Sequence, residues 1–233
     1  WDQTRYYNIW AVSEIDGNDG GSGIQGFAYF ASSHGTSLDG CVMLANQMAD
    51  PTSTVLTHEI GHALDVYHTF EGDVNGTTCP PNGNCSTDGD QVCDIPPHIR
   101  PSGCNPSGTN SCDGGSLNSL HILNYMNYSS CAVNMFTAGQ RTRAQLAMTN
   151  ERASFLAANG NMSLVPPSAP QLDFRQELEV AAMPLAATSA ATARFVDWAS
   201  GTPFTEVHPR WRLAGRLSAF ASLAAFLLAA FGL

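Results

Sequence analysis

The chain has 233 residues, 43% hydrophobic and 9% aromatic, enough for one large domain or a medium domain with appendages around an ordinary globular core. Its formal charge of -10 is uneven: fifteen acids face five arginines up to residue 159, and five face five beyond it. There is no lysine and no basic stripe in the first part, which argues against a nucleic-acid partner; an acidic surface suits cations or basic substrates, or simple solubility.

YYNIWAV, residues 6 to 12, is rich in aromatic and β-branched residues and predicts a strand, and the DGNDGGSG behind it predicts a flexible loop. IQGFAYFA (24 to 31) and GCVMLA (40 to 45) predict two more strands. Asp50 before Pro51 predicts an N-cap and first helical position, and Val55, Leu56, Ile60, Ala63 and Leu64 then recur at helical spacing. From Glu71 to Asn118 neither period is sustained, which is long for a loop inside a compact domain. Cysteines supply the missing order. Six of the seven (Cys79, Cys85, Cys93, Cys104, Cys112 and Cys131) fall between residues 79 and 131, predicting disulfides and an exported protein. A zinc knuckle is the rival reading, but no C-x-x-C pair occurs. Cys41, inside an apolar run, is the predicted buried free thiol. TAGQRTRAQLAMTNERASFLAANG (137 to 160) opens with a Thr137-x-x-Gln140 capping box, places Leu146, Ala147, Phe155 and Leu156 on one face, and stops at Gly160; it predicts a closing helix.

The domain is therefore expected to span residues 1–160, its N-terminal part truncated or processed, since the chain opens at Trp1 without methionine or signal peptide. Residues 161–212 read as a proline-containing linker and a low-information stretch, and 213–233 as an apolar tail. As a helix, LSAFASLAAFLLAAFGL would cover roughly 25 Å, which makes it a candidate membrane anchor. Arg210, Arg212 and Arg216 on its N-terminal side favour a cytoplasmic flank, in conflict with an exported disulfide-bonded domain. A cleaved anchor signal behind Ser200 and Gly201 would remove the conflict; an apolar helix packed on the domain is the plainer alternative.

The chemistry concentrates in HEIGHALDVYH, residues 58 to 68. Histidines four apart on a helix share a face, so His58 and His62 can present nitrogens to one metal ion, and Glu59 can reach a water there as general base. A chance HExxH in this chain has a probability of roughly 0.6%, so a coincidence is a weak explanation. The third ligand, His68, requires the chain to turn sharply after the helix. In H-E-x-x-H-x-x-G-x-x-H a glycine makes that turn in the left-handed region; here Asp65 stands in its place. Aspartate is among the side chains that best tolerate that region, so the turn is expected to survive with some loss of stability or metal affinity.

A second signal is NYMNYSSC, residues 124 to 131. With HEIGHALDVYHTF (58 to 70), MFTAGQ (135 to 140) and the early YYNIWAV, GFAYF and DGCVM, it resembles the metzincin zinc metalloproteases, and among them the pappalysin family, over nearly all of residues 6 to 150. The resemblance implies an α+β (mixed) fold with a twisted sheet, an active-site helix, a Met-turn and a closing C-terminal helix. It implies Zn²⁺ on His58, His62 and His68, Glu59 as general base, Met126 in the Met-turn and Tyr128 as an oxyanion donor; a core tyrosine is the plain alternative for the last. It implies a Cys104 to Cys131 disulfide, with the partners of Cys79, Cys85, Cys93 and Cys112 open, and a substrate strand running antiparallel to GFAYF. Calcium is implied nearby, with Asp88, Asp90 and Asp94 as candidate oxygen ligands and a solvated acidic loop as the alternative. The expected function is a secreted or surface zinc endopeptidase acting on proteins or peptides, with no preference legible for the cleaved side chains. The rival is a catalytically silent metal-binding or adhesion module on the same fold, although such a module has no need of Glu59.

Overall fold

A computed structural model describes residues 1–156. Strand β1 (Asn8–Val12) runs parallel to β3 (Gly40–Leu44), and β2 (Gly26–Ala28) runs antiparallel to β3, giving a mixed sheet of order β1-β3-β2. β3 lies in the middle and is buried at nearly every position, as a strand covered on both faces must be. Cys41 on it is the buried free cysteine, as expected. β2 ends before the predicted boundary because Phe30 leads into a 3-10 turn at Ala31–Ser33. The Asp/Gly-rich segment after β1 is more ordered than its composition predicts. Ile15 and Asn18 exchange backbone hydrogen bonds of 2.9 Å around Asp16 and Gly17, both at positive φ, and the Asn18 amide donates to the Ile24 carbonyl at 2.9 Å.

Helix α1 (Ala45–Ala49) follows β3 directly, and the sequence reading missed it. The expectation that Asp50 and Pro51 open the next helix is wrong: Asp50 closes α1, and its carboxylate accepts from the Thr52 amide at 2.8 Å and hydroxyl at 2.7 Å. That local turn occupies the capping oxygen, so α2 (Val55–Ala63) starts four residues later, behind Thr54. No strand or helix lies between Ala63 and Ser119. Three disulfides order that stretch: Cys79 with Cys112, Cys85 with Cys93, and Cys104 with Cys131, the last as the resemblance implies. An ion pair adds to them. Arg100 donates to both carboxylate oxygens of buried Asp73, at 2.7 and 2.6 Å, and with its backbone amide as well at 3.0 Å.

After the short α3 (Ser119–Ile122), α4 (Ala138–Asn150) begins with the predicted capping box, Thr137 Oγ1 accepting from Gln140 N–H at 3.1 Å and Gln140 Oε1 from Thr137 N–H at 2.9 Å. Two expectations for it fail. Its packed face is Gln140, Ala144, Ala147 and Met148, with Leu146 exposed, and it stops at Asn150. The early stop lets the Arg152 side chain turn inward, where it is 1% exposed. There its Nε donates to the Ala63 carbonyl at the end of α2 (2.7 Å) and its Nη1 to the fully buried Asp39 (2.7 Å). Asp39 also accepts from the Gly35 amide at 3.1 Å and pairs with His34 at 2.8 Å, so one buried ion pair joins the start of β3, the end of α2 and the segment just after α4. The core beside it is Ile60, Leu64, Val66, Met126, Ala144 and Met148. Gly160, the linker 161–212 and the tail 213–233 lie outside the described residues. Among the described residues no helix is long and apolar enough to cross a membrane.

Arg152→Ala leaves the Asp39 carboxylate buried without its cation, and chemical denaturation should show a loss of about 3–5 kcal/mol. The Asp73 pair has a pH signature. Arg100 holds the Asp73 carboxyl at about 2 against an ordinary 3.8. The stability this contributes is therefore complete above the unfolded value and lost as pH falls through the folded one. Unfolding midpoints of the wild type and Asp73→Asn should differ at neutral pH and converge between about pH 4 and about pH 2.

Candidate active site

Helix α2 carries His58 and His62 one turn apart, and the chain then reverses so that His68 returns to them. The three Nε2 atoms lie 3.2, 3.1 and 3.1 Å from one another. Asp65 makes the reversal at φ +61°, its N–H donating to the His62 carbonyl at 2.9 Å, and Val66 N–H closes the helix end on the Gly61 carbonyl at 2.9 Å. The expected turn thus forms with aspartate in the left-handed region.

Ring tautomers follow from the partners. His58 Nδ1 lies 2.7 Å from the Tyr125 carbonyl and His62 Nδ1 2.9 Å from the Val66 carbonyl; a carbonyl only accepts, so both Nδ1 atoms carry the proton. His68 Nδ1 faces the Glu71 carboxylate at 3.8 Å. In a neutral imidazole so oriented Nε2 is a bare acceptor, and three bare acceptors meet here with no proton among them. Burial first, then the neighbouring histidines, lowers His62 to about 3 and His68 to about 2; burial also lowers His58. His62 and His68 therefore stay neutral at any ordinary pH, and His58 is shifted in the same direction. Two nitrogens each about 2.1 Å from one tetrahedral ion are separated by roughly 3.4 Å, a little more than the spacing here, so the donor set fits zinc after a small outward shift.

Glu59 is buried beneath β2: a Cβ added at Gly26 would lie 3.2 Å from Glu59 Cγ, so glycine is what lets the edge strand approach it. Glu59 Oε2 has no hydrogen-bond partner, and burial raises the carboxyl to about 8 against the pull of the Ala28 amide. Met126 is fully buried below the helix, its thioether resting on Gly61 where no side chain would fit. Its turn is bolted to α4. The Asn124 amide donates to Gln140 Oε1 at 2.8 Å, Gln140 Nε2 donates back at 3.1 Å, and Met126 N–H donates to Asn124 Oδ1 at 2.9 Å. Tyr128, 53% exposed, stands at the rim with its ring 5.8 Å from that of His58 and 4.7 Å from that of His68. All six predicted residues therefore gather at one place.

Supporting contacts escaped the sequence reading. Phe70 stacks flat on His68 at 5.0 Å, and Phe30 meets His62 edge-on at 5.5 Å. Behind Met126, Asn127 donates to Thr69 Oγ1 at 3.1 Å beside buried His98, and Thr69 N–H donates to the Met126 carbonyl at 3.2 Å. The HTF and NYMN segments hinted at these only as letters. Calcium finds no support: Asp88 accepts from the Gly83 and Asn84 amides, Asp90 from Val92, and Asp94 from Thr137 and Gly139. Among the described residues the histidine triad is the one group of three or more His, Cys, Asp or Glu arranged to hold a metal ion.

The model of the family described as pregnancy-associated plasma protein-A, peptidase M43, matches residues 1–149. Extracellular metalloprotease 1 of Coccidioides posadasii is 37% identical over 134 residues, covering 52% of this chain and 44% of that protein. An extracellular metalloprotease of Arthroderma otae is 32% identical over 178 residues, covering 63% and 58%. The chain spans about half the length of the curated relatives it matches. Mirolysin of Tannerella forsythia, in complex with compound 9, shares the fold with a TM-score of 0.53 at 25% identity over 72% of this chain and 61% of that one. The match over residues 1–149, which contain the sheet, the histidine turn and the methionine turn, shows that the chain belongs to the pregnancy-associated plasma protein-A (peptidase M43, pappalysin) family.

Proposed function

We propose that this chain is a secreted zinc-dependent endopeptidase that hydrolyses peptide bonds in extended protein segments. The observation that carries the reading is the meeting of three bare Nε2 acceptors, a geometry that a divalent cation stabilises. His58, His62 and His68 would hold zinc, which when bound would supply Lewis acidity toward a water and a peptide carbonyl. Glu59 is the base: its partnerless Oε2 takes the proton of the attacking water and returns it to the departing amine nitrogen. Tyr128, at the open rim, donates a hydrogen bond from its hydroxyl to the developing oxyanion. Met126 shapes the floor through packing on Gly61 and holds no ligand role.

The substrate backbone adds as an antiparallel strand to the edge of β2, which pairs with β3 on its other side and overlies Glu59. Backbone pairing of this kind ignores sequence, in keeping with a protease for unfolded or loosely folded segments. Secretion is supported by three disulfides and by relatives named extracellular metalloproteases.

A zinc chelator should abolish hydrolysis of a general protein substrate, and added zinc should restore it. Glu59→Gln should keep zinc while kcat falls by about 10²–10⁴, the usual contribution of a positioned base. Tyr128→Phe should lower kcat about 10²-fold with little change in KM, as loss of one oxyanion donor does. Equal, chelator-insensitive turnover in wild type and Glu59→Gln would instead leave a silent metal-binding module.

A further inference from the structure

Asp65 stands where the long zinc pattern has glycine, and its side chain does something a glycine cannot. Its Oδ1 accepts a 2.8 Å hydrogen bond from the backbone N–H of Ala31, 34 residues earlier in the chain. Ala31 is fully buried and begins the 3-10 turn that closes the β2 segment. We propose that Asp65 is a positioning residue that locks the end of the substrate-receiving edge strand to the turn between His62 and His68. This rests on the reading of β2 as the substrate strand.

The lock is braced on both sides. Asp65 N–H donates to the His62 carbonyl, and its own carbonyl accepts from Arg143 Nε of α4. The Arg143 guanidinium lies 4.8 Å over the Tyr67 ring, Tyr67 packs 4.9 Å from Phe30, and Phe30 meets His62. The residue just before Ala31 thus touches an imidazole of the triad, and the residue just after Asp65 supplies the carbonyl that orients the same imidazole. One turn therefore sets both the angle of His62 and the height of the edge strand above it. A glycine would make the turn without strain but leave a buried Ala31 N–H without its acceptor. Asparagine would keep both features, because it tolerates the left-handed region and retains Oδ1. Alanine would lose the acceptor and strain the turn.

The test compares the full-length wild type with Asp65→Asn, Asp65→Gly and Asp65→Ala in peptide hydrolysis, zinc competition and hydrogen exchange of the segment around Ala31. Asp65→Asn should match the wild type in all three. Asp65→Gly should hold zinc as the wild type does and keep kcat, while KM rises about fivefold, the size of effect expected from losing one ordinary intramolecular hydrogen bond. Exchange at Ala31 should speed up about tenfold in Asp65→Gly and stay slow in Asp65→Asn. Asp65→Ala should share the raised KM and melt at a lower temperature than Asp65→Gly. Unchanged KM, or unchanged Ala31 exchange, in Asp65→Gly would overturn the proposal. Absence of hydrolysis in the wild type would overturn the protease reading alone, and exchange at Ala31 then decides the lock by itself.

Discussion

Three imidazole lone pairs pointed at one another across about 3 Å repel, and this constraint organises the molecule around it. Each ring turns its Nε2 inward because its Nδ1 is drawn outward, His58 to the Tyr125 carbonyl and His62 to the Val66 carbonyl. Those carbonyls belong to the methionine turn and to the reversal after α2, so the placement of the triad is only as good as the placement of two loops. Buried neutral histidines in such a cluster are a poor structural choice by themselves. A divalent cation turns the repulsion into attraction, which is why the donor set reads as a metal centre.

Much of the remaining architecture holds those two loops. The methionine turn sits on Gly61 from below and is fastened by the reciprocal amide pair Asn124 and Gln140. Gln140 also closes the capping box of α4, so the start of the closing helix and the floor of the site share one side chain. At the other end, Arg152 reaches back to the last carbonyl of α2 and to Asp39 beside β3. The long loop between α2 and α3 contributes almost no hydrogen-bonded periodic structure, and three disulfides with the Asp73 and Arg100 pair take over that role. Cys104 with Cys131 is the bridge that ties this loop to the segment just after Tyr128.

Local chemistry was legible in the sequence, and long-range partnership was not. His58, Glu59 and His62 share a helical face by periodicity alone, and the left-handed turn at Asp65 follows from the residue types that tolerate it. The Thr137 and Gln140 box was readable for the same reason, since both its bonds are local. Asp50 misled because two local structures compete for its carboxylate, and the turn through Thr52 won over the helix cap. The length of α4 misled because the early stop goes with a long-range contact, Arg152 on an aspartate more than a hundred residues away, that no local pattern shows. Phe70 on His68, Phe30 on His62 and Thr69 on the methionine turn are contacts that no spacing rule announces. Calcium was expected from a resemblance and an acidic run, but Asp88, Asp90 and Asp94 form no group arranged around one ion: backbone amides take up Asp88, the start of α4 takes up Asp94, and Asp90 accepts from Val92 through Oδ1 alone.

The most direct measurement is X-ray absorption at the zinc edge on protein reconstituted with one equivalent of zinc. The account predicts three imidazole nitrogens at about 2.0–2.1 Å and one further light atom, with the histidine signal reduced by one ring in His68→Ala. A first shell with sulfur, or with fewer than three imidazoles in the wild type, would contradict it.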